Sequence, residues 1–280
     1  MTESKVVEVR GLPIHYEEFG EGRPSLWLHG VITDRRHMVA ETEPVFERRT
    51  GPTRWRRIYP DLPGRGETPG ADWIESQDDM LEITLEFLKS VAPGARFTVG
   101  GTSWGGYMVM GVLHRRAAMC DGAAFIVANP LRTGRSPAEH KVLMRDPDIE
   151  SLLVSDSDRD WFEGSVVQTR EALDADRATI APSVAVADMP FLERVEERTN
   201  FSFDVRQLAP FEKPTVVMSA RQDSTAGYTD MLSMLETFPR ATWAILDVSG
   251  HMLPVDRKFL FESLLSDWLD RVEYDIEHPA

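Results

Sequence analysis

The chain contains one cysteine, Cys120, so no disulfide can form within it. That usage suits a reducing compartment, and we expect a cytoplasmic protein. Apolar runs are short, and none approaches the roughly 20 residues needed to cross a bilayer. The opening stretch MTESKVVEVRGLPIHYEEF lacks the apolar segment of a secretory signal. Without such a signal, the glycosylation sequon Asn200-Phe201-Ser202 is read as a chance match. Basic residues are scarce against acidic ones, 31 to 46, giving a formal net charge of -15. Such a chain repels phosphate backbones and anionic lipid, so neither nucleic acid nor a membrane surface is an expected partner.

Metal and nucleotide signatures are missing as well. No His/Cys cluster has zinc spacing. Asp156-Ser157-Asp158-Arg159-Asp160 begins like a calcium loop, but Trp161 and Val167 stand where glycine and glutamate are needed. It reads instead as a solvated acidic helix start. Gly100, Gly101, Gly105 and Gly106 do not form a G-x-G-x-x-G turn. We therefore expect no cofactor and no metal, with a small molecule as the partner. An oligomer is not indicated.

What is present is a core-forming alternation. An apolar fraction of 42% over 280 residues is enough for one large body with an insertion. Lys5–Val9 and Pro13–Glu18 read as strands around a turn at Gly11-Leu12. Ser25–Leu28, Arg54–Tyr59, Arg96–Val99 and Gly122–Val127 read as further strands. Met80, Ile83, Phe87, Leu88 and Val91 repeat at helical spacing, and Trp104–His114 is an apolar helix. Strands alternating with helices imply an α/β fold with a mainly parallel central sheet and helices on both faces.

From residue 131 to residue 210 the pattern changes to charged, helix-like sequence. Ser136-Pro137-Ala138-Glu139 has the form of a capping box, Asp146-Pro147-Asp148 resembles a second helix start, and Ala187–Glu197 a third helix. Alternation then resumes with strand Thr215–Ser219, helix Tyr228–Phe238, strand Thr242–Leu246 and a last helix striped by Phe261, Leu264, Leu265, Trp268 and Val272. The expected organisation is an α/β core over 1–130 and 211–280, interrupted by a helical insertion over 131–210.

The chemistry centres on Gly101-Thr102-Ser103-Trp104-Gly105, a G-x-S-x-G pattern lying between a strand and a helix. That context calls for a tight, strained turn that lifts the Ser103 hydroxyl above the sheet edge. The Trp104 N–H then lies at a helix N-terminus, where donors are unpaired and negative charge is favoured. A serine hydroxyl needs a base. His251 follows the strand Thr242–Leu246, on the edge where open α/β sheets build their sites. His15, His37, His114, His140 and His278 have no comparable placement. Asp223, after the strand Thr215–Ser219, is expected to orient His251, with Asp247 as rival. Val31, after His29-Gly30, is the expected second oxyanion donor beside Trp104, with Ile32 as the alternative. His29 is read as structural.

Together His29-Gly30, Asp61-Leu62-Pro63-Gly64-Arg65-Gly66-Glu67-Thr68, the Ser103 turn, Asp223 and His251 resemble the α/β-hydrolase superfamily. The resemblance implies that 131–210 form a cap and that Asp61–Thr68 shape a loop. From the motif order, the leading expectation is a carboxylesterase-like serine hydrolase that cleaves an ester or related acyl bond of a small apolar substrate. The Ser103-Trp104-Gly105 turn is also similar to that of proline iminopeptidases. Their His-Gly-Gly-Pro-Gly loop, however, is here His29-Gly30-Val31-Ile32-Thr33. Size and cap position equally suit the C–C bond hydrolases of aromatic degradation. A ligand receptor on a hydrolase scaffold, and acyl transfer or perhydrolysis, use the same constellation.

Overall fold

The structure is a computed structural model that describes residues 4–278. Short β-branched and apolar runs form the strands. β1 (Lys5–Val9), β2 (Leu12–Phe19), β3 (Arg23–Leu28), β4 (Trp55–Pro60), β5 (Phe97–Thr102) and β6 (Cys120–Ile126) come first. Two-residue strands β7 (Met144–Arg145) and β8 (Val167–Gln168) pair only with each other. β9 (Thr215–Ala220) and β10 (Ala241–Leu246) complete an eight-stranded sheet of order β1-β2-β4-β3-β5-β6-β9-β10. β1–β2 and β2–β4 are antiparallel and all other neighbours in this sheet are parallel. The first turn falls one residue earlier than the sequence suggests, at Arg10-Gly11. Both residues have positive φ, 53° and 76°, the geometry that suits a two-residue hairpin.

α1 (Arg35–Glu47), α2 (Gln77–Val91) and α3 (Trp104–Arg116) connect the first strands. α4 (Asp156–Gly164), α5 (Arg170–Ala175), α6 (Ala181–Val184) and α7 (Met189–Glu196) lie in the 131–210 stretch. α8 (Leu253–Asp256) and α9 (Lys258–Glu277) close the chain. Among the described residues no helix is long and apolar enough to cross a membrane.

Side chains alternate across the strands, so each strand feeds two cores. Leu26 and Leu28 pack with α2 and α3, whereas Trp27 between them packs with α1 and α9. In β6, Phe125 takes the first side, and Ala124 and Ile126 take the second. α1 carries no readable apolar stripe, because it buries polar groups on partners of β4. The Thr42 hydroxyl meets the Tyr59 hydroxyl at 2.7 Å, and the Tyr59 hydroxyl also donates to Glu43 at 2.6 Å. Tyr228–Phe238 forms a 3-10 helix over Asp230–Thr237 rather than an α-helix.

The 131–210 stretch leaves the sheet between β6 and its neighbour β9. Ser136–Glu139 opens no helix; residues 135–143 run without regular structure. Their donors are taken by the core instead: Ser136 N–H donates to Asp230 Oδ2 at 2.7 Å, and Ala138 N–H to the Asp223 carbonyl at 2.9 Å. Asp146-Pro147-Asp148 leads into one 3-10 turn, Ile149–Leu152. At Asp156 an acidic helix start does form. Ser155 and Asp158 make a reciprocal cap on α4, and Asp158 also pairs with Arg177 at 2.8 Å.

Candidate active site

Strand order reverses between β3 and β5. The chain moves outward from β3 to β4, then returns to β5 and continues in the other direction. The loops after β3 and β5 therefore part from each other and leave a crevice at their carboxyl ends, where open sheets bind ligands. Gly30 and Val31 line one side of it and Ser103 the other. A Cβ placed on Gly30 would come within 3.9 Å of the Ser103 Cβ.

Ser103 is held at φ 52°, ψ -119°, a conformation that costs an L-residue about 1–3 kcal/mol. The surroundings impose it. Ser103 N–H donates to the Ile126 carbonyl at 2.8 Å, and the Ser103 carbonyl accepts from Tyr107 N–H at 3.3 Å. The glycines permit it by letting backbones touch. A Cβ on Gly105 would sit 2.1 Å from the Leu28 carbonyl oxygen, and one on Gly101 would sit 2.5 Å from the Gly105 carbonyl.

Asp223 and His251 arrive on the loops after β9 and β10. His251 Nε2 lies 2.9 Å from Ser103 Oγ, and His251 Nδ1 lies 2.9 Å from Asp223 Oδ2. Asp223 is fully buried, and its other oxygen accepts from the N–H groups of Thr225 and Ala226 at 2.8 and 2.9 Å. Burial alone would raise its pKa. The His251 ring and these two amides outweigh burial and hold the carboxyl below its ordinary range. For His251, burial opposes charging, but the Asp223 carboxylate outweighs it and raises the imidazole pKa above 6.5. The carboxylate fixes a proton on Nδ1, so Nε2 is the acceptor that faces Ser103. Asp247 stays apart: it is exposed and accepts from Gln222 at 2.8 Å.

Among the described residues, neither the Val31 nor the Trp104 N–H has a protein acceptor. The loop carrying Val31 is clamped by His29. Its Nδ1–H donates to the Gly30 carbonyl at 2.8 Å, and its Nε2 accepts from Leu62 N–H at 3.0 Å. Burial, with Arg65 close by, brings the His29 pKa down to about 3, so the ring stays neutral. Gly30 N–H donates to Thr33 Oγ1 at 3.0 Å. Asp61 ties the following loop together, accepting from Arg35 N–H and Glu67 N–H, each at 2.9 Å, and pairing with the Arg35 guanidinium.

Three residues near the site carry no mark in the sequence. Asp256 accepts from Gly250 N–H at 2.7 Å, next to His251. Arg132 and Arg135 lie in the irregular chain after β6, Arg132 paired with Glu196 and Arg135 donating to the Thr225 carbonyl in the Asp223 loop. Arg132 and Arg135 stand in irregular chain and Asp256 ends the four-residue α8, so no periodicity betrays them. Among the described residues, no group of three His, Cys, Asp or Glu side chains is placed to hold a metal ion.

Comparison with known proteins agrees with this architecture. A curated relative, 2-hydroxy-6-oxo-6-(2'-aminophenyl)hexa-2,4-dienoic acid hydrolase of Metapseudomonas resinovorans, is 21% identical over 95% of this chain and 91% of its own. An alpha/beta superfamily hydrolase from Oenococcus oeni PSU-1 is similar in structure, with TM-score 0.83 and 21% identity over 93% of this chain and 96% of that one. An esterase from Exiguobacterium antarcticum matches with TM-score 0.69 and 16% identity over 96% of this chain and 100% of that one. The family model described as the alpha/beta hydrolase family matches residues 26–262. The reversed strand order, the strained serine turn and this match lead to one conclusion: the chain belongs to the alpha/beta hydrolase family.

Proposed function

We propose that this hydrolase cleaves an ester or related acyl bond of a small substrate through Ser103, His251 and Asp223. The observation that carries the reading is the unbroken line Asp223–His251–Ser103, with both links at 2.9 Å, drawn from three separate strand ends. Ser103 Oγ attacks the acyl carbon while its proton passes to His251 Nε2. The carbonyl oxygen takes the negative charge and is met by the N–H groups of Val31 and Trp104. Collapse of this intermediate breaks the bond to the leaving group, which takes the proton back from Nε2. Water, deprotonated by His251, then attacks the acyl-serine and frees the acid. Residues 131–210 act as a cap over this site.

A second reading, C–C bond hydrolysis, draws support from the Metapseudomonas resinovorans relative, whose coverage extends over nearly both chains. A panel of p-nitrophenyl esters of rising chain length, together with a vinylogous diketone, separates the two. Ester turnover with covalent labelling of Ser103 by a fluorophosphonate is the expected result. Turnover of the diketone alone would move the reading to the C–C bond. Absence of both turnover and labelling would refute it.

A further inference from the structure

Three guanidinium groups gather at the candidate site of a chain whose net charge is -15. Arg65 is buried; its Nε donates to the Val31 carbonyl at 2.8 Å, and its guanidinium lies 4.2 Å from the centre of the Trp104 ring. Arg132, its side chain 8% exposed, reaches Glu196 of α7 at 2.6 Å. The other Glu196 oxygen accepts from Gln77, which in turn accepts from the Trp104 indole N–H at 2.7 Å. Arg135, close enough to Arg132 for their charges to oppose each other, donates to the Leu131 carbonyl at 3.0 Å and to the Thr225 carbonyl at 3.3 Å, beside Asp223. One short segment thus links the support of Trp104 to the loop of Asp223, and Ser103 lies between those two.

Few of these guanidinium donors meet a carboxylate. Among the described residues, Glu196 is the one carboxylate that forms an ion pair with any of the three. Asp223 and Asp230 lie near Arg135 and favour its charge, but neither forms an ion pair with it: Asp223 is paired with His251, and Asp230 Oδ2 accepts from Asn129 and the Ser136 N–H. The buried Arg132 Nε has no hydrogen-bond partner. A desolvated guanidinium without an anion is costly. Burial, with Arg132 adding to it and Glu196 opposing it, brings the Arg65 pKa down to about 9. The reaction sharpens the conflict, since taking the Ser103 proton makes His251 a cation, and Arg135 already opposes its charging. An anion delivered by the substrate would relieve both problems.

We propose that the substrate carries a carboxylate that docks on Arg132 and Arg135, with Arg65 adding its field from the face of Trp104. This rests on the serine-hydrolase reading above. A planar monoanion suits the guanidinium fork, which offers parallel donors, and Glu196 already answers part of the positive charge.

The test compares p-nitrophenyl hemiesters of adipate and suberate with their methyl-capped neutral counterparts. The native protein should favour the carboxylate substrates by about 10-fold or more in kcat/KM, mainly through KM. In Arg132→Gln and Arg135→Gln that ratio should fall toward one, and Arg132→Lys should lie between. A turnover-independent arm measures protection of Ser103 from a fluorophosphonate. Glutarate should slow labelling, whereas glutaramide should not. A native ratio at or below one, with labelling intact, overturns the carboxylate subsite alone. Equal protection by inorganic phosphate overturns the carboxylate assignment. Absence of labelling and of all ester turnover overturns the underlying hydrolase reading instead.

Discussion

At the carboxyl edge of the sheet, Ser103, Asp223 and His251 sit on loops held from several sides. Glycines without room for a Cβ, a buried carboxylate with two amide donors, and a histidine clamp on the neighbouring loop fix the backbone. Between 131 and 210 the helices are short. α7 joins the main core, whereas α4, α5 and the 3-10 turn Ile149–Leu152 gather around a small cluster of Ile149, Trp161, Ala172 and Leu173. The contrast separates two needs. Reaction geometry requires rigid backbone, whereas the proposed cap needs only to place a few side chains over the site. Strain is affordable at Ser103 because the surrounding sheet leaves it no alternative.

Breaking the rigid side should have the largest effect. Ser103→Ala should lower kcat on any ester the native protein hydrolyses by about 10⁶-fold. A variant that kept its turnover would move the chemistry away from this edge. Asp223→Asn should cost about 10⁴-fold, because the imidazole loses the partner that fixes its tautomer. The same variant carries a pH signature. The base must be neutral, and Asp223 raises the His251 pKa above 6.5, so native kcat/KM should fall as pH drops through that raised value. In Asp223→Asn the acid limb should move to lower pH. An unmoved limb would show that another group is the base.

Two smaller effects sharpen the contrast. Gly105→Ala places a methyl group 2.1 Å from the Leu28 carbonyl oxygen, a backbone atom that cannot swing aside. We expect a loss of about 3 kcal/mol or more in a denaturant titration. Trp161→Ala removes the largest side chain of the small cluster. It should lower local opening free energy by up to about 3 kcal/mol, seen as faster hydrogen exchange across residues 149–173. Fluorophosphonate labelling of Ser103 should survive that change. Loss of labelling would show that the two regions are one cooperative unit.

The sheet was legible because its signal is local and repeated. β1 and the start of α3 stand where apolar alternation and the serine turn put them. α1 was not legible, since Thr42 and Glu43 are buried against Tyr59 and mask its apolar face. The Ser136–Glu139 capping box failed for a related reason. Its pattern is sound, but Asp223 and Asp230 offer its backbone donors better-placed acceptors than a helix would. At the site, the residue types and chain order of Ser103, Asp223 and His251 were readable. Arg132, Arg135 and Asp256 were not, because a single polar residue in a loop or at the end of a one-turn helix looks the same whether it faces water or the site.

The amino-acid sequence by itself determined the alternation that makes a parallel sheet, and the glycine spacing that permits a strained serine. It also set the chain order of the three candidate residues, Ser103, Asp223 and His251. Those follow from short-range sterics and periodicity, which a linear chain carries within a few residues. The tertiary structure alone decided which donors find which acceptors. It brought Asp223 rather than Asp247 to His251, left Ser136–Glu139 without a helix, and set Arg132 close to both Arg65 and Arg135. Such pairings join residues far apart in the chain, and their energies depend on burial and distance that exist only after folding.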